Sequence, residues 1–545
     1  MDISLLSDEL KAVIEEFVKA ELKKQLSAKD LLIAQQQEEI AHLNEQISSL
    51  RKMIFGSRSE KTIYIDPAQK SLFEKAESNN TADTTQDSHQ EQSRVKVPAH
   101  ERKPKRSMDV IYADLPHVEK IIDLPEEKKF DSNGKPFVYV GNEFVRSIIC
   151  SEPSKHWIED IYCKTYKTSR PESEDVHFVK PDIPSPLIEH SYASASTVTQ
   201  IIINKYFAGL PLYRQEKLFK QQGLGLSRTT MANWVITVSE QYLNKIYLRL
   251  CRLIVEQKVV HADETPIQVL KEPGRRAQQK SYMWVYSTSK RSDIQIRCFS
   301  YEKSRSGERA QNFLKDFSGI LISDGYSGYL KVDVTRAGCW AHMRRKWVEA
   351  MPTDLPSESS IAATGLGYCT QLFEFERRIE QLTDEERVIE RQKIHTKGEE
   401  LKEDNCETLS AKEILGKYWE WIDSLGTTAG KLKKAVGYAL HQKPYLETFL
   451  EHGEIEISNN QVENAIRPFV VGRKGWLFAD TTRGAEASAV TYSVIETAKA
   501  NNLNVHEWLN YVLKVLPERF AYDPNDCIDD LLPWTDEMQK WFRLK

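Results

Sequence analysis

QKVVHADETP, residues 257–266, sets an acid at the end of an apolar run. Val259 and Val260 read as part of a buried strand, and Asp263 falls where that strand should end. A carboxylate at a strand end is either turn chemistry or a metal ligand, and D-E-T-P is a natural turn sequence. With 80 acidic residues in 545, Asp263 alone carries no argument. Its neighbours have to decide.

Working outward, KVVHADET, SYMWVYSTS, IQIRCFSYE and GILISDGYSGY are four strand-like runs between 258 and 335, and GERAQNFLKDF reads as a crossover helix before the fourth. A β-β-β-α-β order describes a mixed sheet with one parallel connection. If the first and fourth strands are neighbours, Asp263 and Asp324 project at one edge. Hard oxygen ligands converging there suit Mg²⁺. A third acid is expected from a packed helix. EISNNQVENAIRPF offers Glu463 in the first turns, with Ser458 and Gln461 matching a capping box, Arg467 at i+4 and Pro468 ending the helix. The plainer alternatives are turn chemistry for both aspartates and an ordinary surface pair for Glu463 and Arg467, worth a few tenths of a kcal/mol.

The 40% hydrophobic and 28% charged content describes a soluble globular protein of several domains. No run of about 18 apolar residues is present to span a membrane, and the acidic amino terminus is unlike a signal peptide. The eight cysteines are scattered with no C-x-x-C pair, which fits reduced thiols in a cytoplasmic protein. Net charge is −5, so any nucleic-acid footprint must be local. Three basic clusters qualify: RVKVPAHERKPKR (94–106), RAGCWAHMRRKW (336–347) and IRPFVVGRKGW (466–476).

Toward the amino terminus, Leu26, Ile33, Ile40, Ile47 and Ile54 recur at seven residues, with Leu22, Leu43 and Leu50 in the second apolar position and Lys29 and Gln36 interrupting it. This predicts a coiled coil or helical hairpin for self-association, or else one amphipathic helix packed on its own domain. Polar, low-complexity sequence follows from 64 to 107, and short β-rich runs such as KPFVYVG fill the next stretch. Residues 210–243 read as a helix, a turn at Gly223 and a second helix capped by Ser227. Leu218, Phe219, Leu226, Met231, Trp234 and Val238 supply the apolar contacts, leaving Arg228, Thr229, Thr230 and Asn233 on the exposed side. Either this is a helix-turn-helix that enters a major groove, or it is a pair of packed helices with a glycine turn. Residues 357–453 are helical and charged, as an inserted domain would be.

Taken in order, V-H-A-D-E-T-P, I-S-D-G-Y-S-G-Y, C-W-A-H-M-R-R-K-W and N-N-Q-V-E-N-A-I-R-P-F-V-V-G-R-K-G-W-L-F resemble the catalytic core of the insertion sequence 66 family of bacterial transposases. The likeness extends through F-G-S-R-S-E-K (55–61), L-P-L-Y-R-Q-E (210–216), G-L-S-R-T-T-M-A-N-W (225–234) and L-L-P-W (531–534). It implies a multidomain α+β chain whose core is ribonuclease-H-like, with a D-D-E triad at Asp263, Asp324 and Glu463. The triad would hold two Mg²⁺ ions, with Mn²⁺ as substitute, for in-line phosphoryl transfer. Asn459, Asn460, Arg467, His342, Arg344, Arg345 and Lys474 would support the acids or touch DNA phosphate.

On this reading residues 1–63 oligomerise and 64–107 form a linker with a basic end. Residues 108–185 form a small β domain where relatives carry a zinc-finger-like segment, and 186–250 bind DNA. Residues 251–350 and 454–500 make the core, 351–453 a helical insertion and 501–545 a helical tail. Two departures stand out. Ser458 occupies a position where many relatives have Asp. The C-x-x-C pairs are absent, FDSNGK (130–135) and Cys163 with Tyr166 standing in their place, so no structural zinc is expected. Cys339 and His342 have C-x-x-H spacing without a second pair, which points to a fold-supporting role.

The resemblance implies double-stranded DNA as partner, a homo-oligomer, small accessory proteins from the same element, and a cytoplasmic, nucleoid-associated location. A catalytically silent DNA-binding derivative, a coiled-coil scaffold and a purely hydrolytic nuclease are the competing readings.

Overall fold

Thirteen residues, Val259–Lys271, form one strand (β3) that runs straight through Asp263 and organises the sheet. The computed structural model describes residues 155–162, 166–167, 178–179, 184–352, 360–394 and 409–544, all within one compact unit. The heptad segment, the 64–107 linker, FDSNGK, Cys163 and most of the expected small β domain lie outside the described residues. From that last region, β1 (Tyr166–Lys167) and β2 (Phe178–Val179) pair antiparallel.

β3 pairs antiparallel with β4 (Lys280–Thr288), which pairs antiparallel with β5 (Arg297–Glu302). On its other side β3 pairs in parallel with β6 (Ile320–Ser323), which pairs in parallel with β7 (Thr335–Gly338). The order is therefore β5-β4-β3-β6-β7. The first and fourth strand-like runs are indeed neighbours, and α5 (Gly307–Phe313) lies in the crossover between β5 and β6.

The first strand does not end at Asp263, and the register gives the reason. Pairing with β4 continues from Val260↔Thr288 to Gln268↔Lys280, whereas pairing with β6 stops at His261↔Ile322. β8 (Ala479–Thr481) rejoins that same side only at Val269↔Ala479. Residues 262–268 are thus a strand with one open edge, where Pro266, lacking an N–H, removes no ladder bond.

The period of two sends alternate residues to opposite faces. Val260, Ala262 and Leu321 join one apolar core, and Val259, Ile320 and Ile322 join another. The first core is covered by α1 (Ala195–Ile202), α2 (Leu212–Gln221), α3 (Arg228–Val238) and α4 (Asn244–Val255). From the carboxyl-terminal side it takes α11 (Asn460–Trp476), α12 (Thr482–Ala500) and α13 (Val505–Tyr522), with Met538 of α14 (Asp536–Phe542) packed in. The second core takes α6 (Trp340–Ala350), α7 (Ile361–Arg378), α9 (Ala411–Ser424) and α10 (Gly430–Glu447). Alongside it, α8 (Asp384–Gln392) is held by buried Arg387 and Arg391 on Glu376 of α7. No helix of the described residues is long and apolar enough to cross a membrane.

α12 is buried nearly all round because its Ala, Ser and Thr residues let it lie close against β5. Its hydroxyls occupy that strand's free edge. Ser493 Oγ accepts from Phe299 N at 2.7 Å, and Thr497 Oγ1 accepts from Arg297 N at 3.0 Å and donates to Arg297 O at 3.2 Å. A sheet edge that would otherwise solicit another strand is thereby closed.

Candidate active site

Asp263 and Asp324 each stand two residues beyond the last parallel pair, His261↔Ile322, and so share one row at the edge where β6 ends. Asp263 Oδ1 accepts from Glu264 N at 2.9 Å. Asp324 follows β6 and closes a short turn, its Oδ1 accepting from Tyr326 N at 2.9 Å. The open edge of β3 admits α11, whose first turn carries Glu463.

Asp263 senses the other two acids. Burial, then the charges of Glu264, Asp324 and Glu463, push the Asp263 carboxyl up to about 8. Glu264 is raised as well, chiefly by burial, although Tyr329 Oη donates to its Oε2 at 2.6 Å and Arg305 Nε to its Oε1 at 2.6 Å. Arg305, Tyr329 and Glu264 border the site and were not singled out in the sequence, since a second acid beside Asp263 reads as one more polar turn residue.

Glu463 faces α6. Arg345 Nη2 donates to Oε2 at 3.1 Å, and His342 Nδ1 lies 3.7 Å from Oε1. Arg467, four residues on, is exposed. The predicted cap is different. The N-cap residue is Asn459, without a side-chain capping bond, because that side chain is used elsewhere. Its Nδ2 donates to Ala262 O at 2.9 Å, so its Oδ1 faces His261 Nδ1 and accepts at 3.0 Å, while its backbone N–H points to Cys339 Sγ at 3.1 Å. Nor does Pro468 end the helix, which continues to Trp476. Burial of Phe469 and Gly472 in the core offsets the lost backbone bond.

A second buried link tightens the same junction. His261 Nε2 lies 3.1 Å from Glu456 Oε2. Burial alone would raise Glu456, yet His261, the Ser289 hydroxyl and the Lys290 amide outweigh it and hold the carboxyl down to about 2. His261 and Glu456 are 195 positions apart, and only the adjacency of His261 to A-D-E-T hinted at a role.

His342 is lowered, first by burial and then by Arg345 against the pull of Glu463. Cys339 is pushed up to about 11 by burial. Arg344 is half-buried on α6, and Asn460 and Lys474 begin and nearly end α11, Lys474 being exposed. Of the helix-turn-helix candidates, Arg228, Thr229 and Asn233 are exposed on α3, and Thr230 is half-buried with its amide capped by Ser227 Oγ at 3.1 Å. Leu218, expected in the interface, is 43% exposed, because Phe219 takes the inward position. The Arg228 amide donates locally, to Glu216 Oε1 at 3.0 Å.

The sequence is 31% identical over 368 residues to the uncharacterized protein y4qI of Sinorhizobium fredii, covering 64% of each chain. To y4jD of the same organism, also uncharacterized, it is 26% identical over 516 residues, covering 91% of this chain and 94% of that one. Family models match at three places: the IS66 C-terminal element at 493–534, the "Transposase C of IS166 homeodomain" at 42–119, and the Transposase IS66 family at 190–487. The last spans more than half of the 545 residues and includes all three acids. The chain belongs to the IS66 transposase family.

Proposed function

We propose that this chain cuts the ends of its own mobile element and joins them to target DNA by in-line phosphoryl transfer, with Asp263, Asp324 and Glu463 as the catalytic acids. One observation carries the reading: carboxylates from β3, the end of β6 and the start of α11 lie near enough that Asp324 and Glu463 add to burial and Glu264 in pushing the Asp263 carboxyl up to about 8. Such a cluster is short of positive charge. Its hard oxygen donors fit divalent cations of the Mg²⁺ or Mn²⁺ class, and two ions bound there would activate the attacking oxygen and stabilise the leaving one.

The chain's own groups would do the rest. Asn459 and His261 tie the α11 start to β3, which fixes Glu463 relative to Asp263. Arg345 and exposed Lys474 are set to meet phosphate oxygens, as are Arg467 and half-buried Arg344. The β5-β4-β3-β6-β7 order, antiparallel on one side of β3 and parallel on the other, supports a ribonuclease-H-like core. Residues 1–63 would pair two protomers, since a two-ended reaction needs two active sites. The exposed face of α3 and the 42–119 region, with its basic cluster, would grip the terminal repeats. Small proteins from the same element would assist in the cytoplasm.

The test is cleavage and strand transfer on duplex DNA carrying the ends that flank this gene. It is run in Mg²⁺ and in Mn²⁺, with and without the neighbouring gene products. Metal-dependent cutting that vanishes in Asp263→Ala is expected, with joined products separating a transposase from a nuclease. End binding without cutting in every condition would favour the silent DNA-binding derivative.

A further inference from the structure

We propose that Cys339, His342 and Glu463 form a separate transition-metal site, selective for Zn²⁺ over Mg²⁺, that withdraws Glu463 from the acid cluster when filled. The ligand atoms of these three residues all lie within 4.8 Å of one another, and this is the one such grouping among the described residues. The sequence supplied two of the three ligands in its C-x-x-H motif; the third arrives from α11, 121 positions beyond His342.

The local structure sets the ligands up. Cys339 is the N-cap residue of α6 and His342 lies three residues on, so both occupy one side of the first turn. His342 Nδ1 is buried without a hydrogen-bond partner and looks toward Glu463 Oε1 at 3.7 Å. An orphaned buried nitrogen is costly, and a metal ion would satisfy it. Glu463 can serve through Oε1 while Oε2 keeps Arg345 at 3.1 Å. Small rotations would bring the atoms to the roughly 3.5 Å separation between neighbouring ligands of a tetrahedral zinc. On binding, a Zn–S bond replaces the thiol S–H and that proton leaves to solvent.

Selectivity follows from the donors. Thiolate and imidazole favour Zn²⁺ and Co²⁺, whereas Mg²⁺ requires oxygen. The three protein ligands leave a fourth position open on the side where Glu463 is 22% exposed. The consequence for activity rests on the reading of Glu463 as the third catalytic acid; the metal site itself does not. One Glu463 carboxylate cannot serve both places, so zinc would compete with catalytic Mg²⁺ rather than assist it.

The test uses the full chain with Co²⁺ as the probe. One equivalent should bind and give a thiolate-to-cobalt charge-transfer band that Zn²⁺ abolishes and that falls more than tenfold in Cys339→Ser. No band in the wild type, or an undiminished band in a folded Cys339→Ser, overturns the site. If that variant does not fold, X-ray absorption of the wild-type protein with one equivalent of Zn²⁺ decides. One sulfur with nitrogen and oxygen neighbours is expected, and no sulfur, or two or more, overturns it. Cutting of the element ends in Mg²⁺ should slow more than tenfold with one equivalent of Zn²⁺; an unchanged rate in zinc-loaded protein overturns the withdrawal of Glu463. Absence of cutting without zinc would count against the transposase reading alone, since the cobalt spectrum is independent of DNA.

Discussion

At Asp263, burial and neighbouring negative charge push in the same direction. Its ordinary value is 3.8, but in the fold the carboxyl is pushed up to about 8, by burial first and by Glu264, Asp324 and Glu463 after it. Between those values the folded chain holds a proton that the unfolded chain has released. Stability from this group is therefore complete below about pH 4 and is lost as pH rises through about 8. Each pK unit is worth roughly 1.4 kcal/mol, so the loss reaches several kcal/mol at alkaline pH when no cation is bound. Asp263→Asn removes it. Without divalent metal the variant should unfold at higher temperature than the wild type at about pH 9, the gap closing toward about pH 4. Saturating Mg²⁺ should stabilise the wild type and leave the variant unmoved. Thermal unfolding followed by circular dichroism across that range reads both, and a variant no more stable than wild type in alkali would show the cluster to be well solvated.

Single elements were legible where period and punctuation agreed. β4, β5, β6, α5 and the Ser227 cap on α3 all follow from alternation, turn residues and capping chemistry. β3 was cut short because D-E-T-P is a turn sequence in isolation, and pairing with β4 overrides that preference. The start of α11 was misread because Asn459 spends its side chain on β3 instead of on its own helix, a choice that local sequence cannot reveal. α12 shows no apolar stripe for the opposite reason, being buried on every side. Its hydroxyls matter more than its apolar groups at the β5 edge. Thr497→Val keeps the shape but leaves Arg297 N–H and C=O without their partner, at roughly 1–3 kcal/mol for each buried orphan. The variant should lose stability of that order in urea, and Thr497→Ser should recover most of it. Equal stability of the valine variant would mean that water replaces the hydroxyl at this edge.

For the molecule as a whole, the motif order marked which residues belong together but not how the chain returns to them. After α6 the chain leaves the sheet, builds α7 to α10 over the second apolar core, and comes back through residues 449–457. Arg391 fixes that return. Wholly buried, it donates to Glu376 from Nε at 2.7 Å and to the carbonyls of Phe449, His452 and Ile455 at 2.7, 2.8 and 2.9 Å. Nothing in ERVIERQ marks this arginine as one that is wholly buried. Because Glu456, Asn459 and then Glu463 follow directly, the helices inserted between α6 and α11 and the acid cluster are mechanically one assembly. Arg391→Met leaves Glu376 as a buried charge with only Arg387 to answer it, and loss of a partner in such a cluster costs roughly 3–5 kcal/mol. The coupling predicts a second effect in the protein that remains folded. With the return segment loosened, Glu456 no longer holds His261 in place, and Glu463 sits less firmly beside Asp263. The Mg²⁺ concentration at half-maximal cutting should rise severalfold while DNA binding stays unchanged. A destabilised variant with an unaltered Mg²⁺ midpoint would instead show that the inserted helices and the acids fold together but act apart.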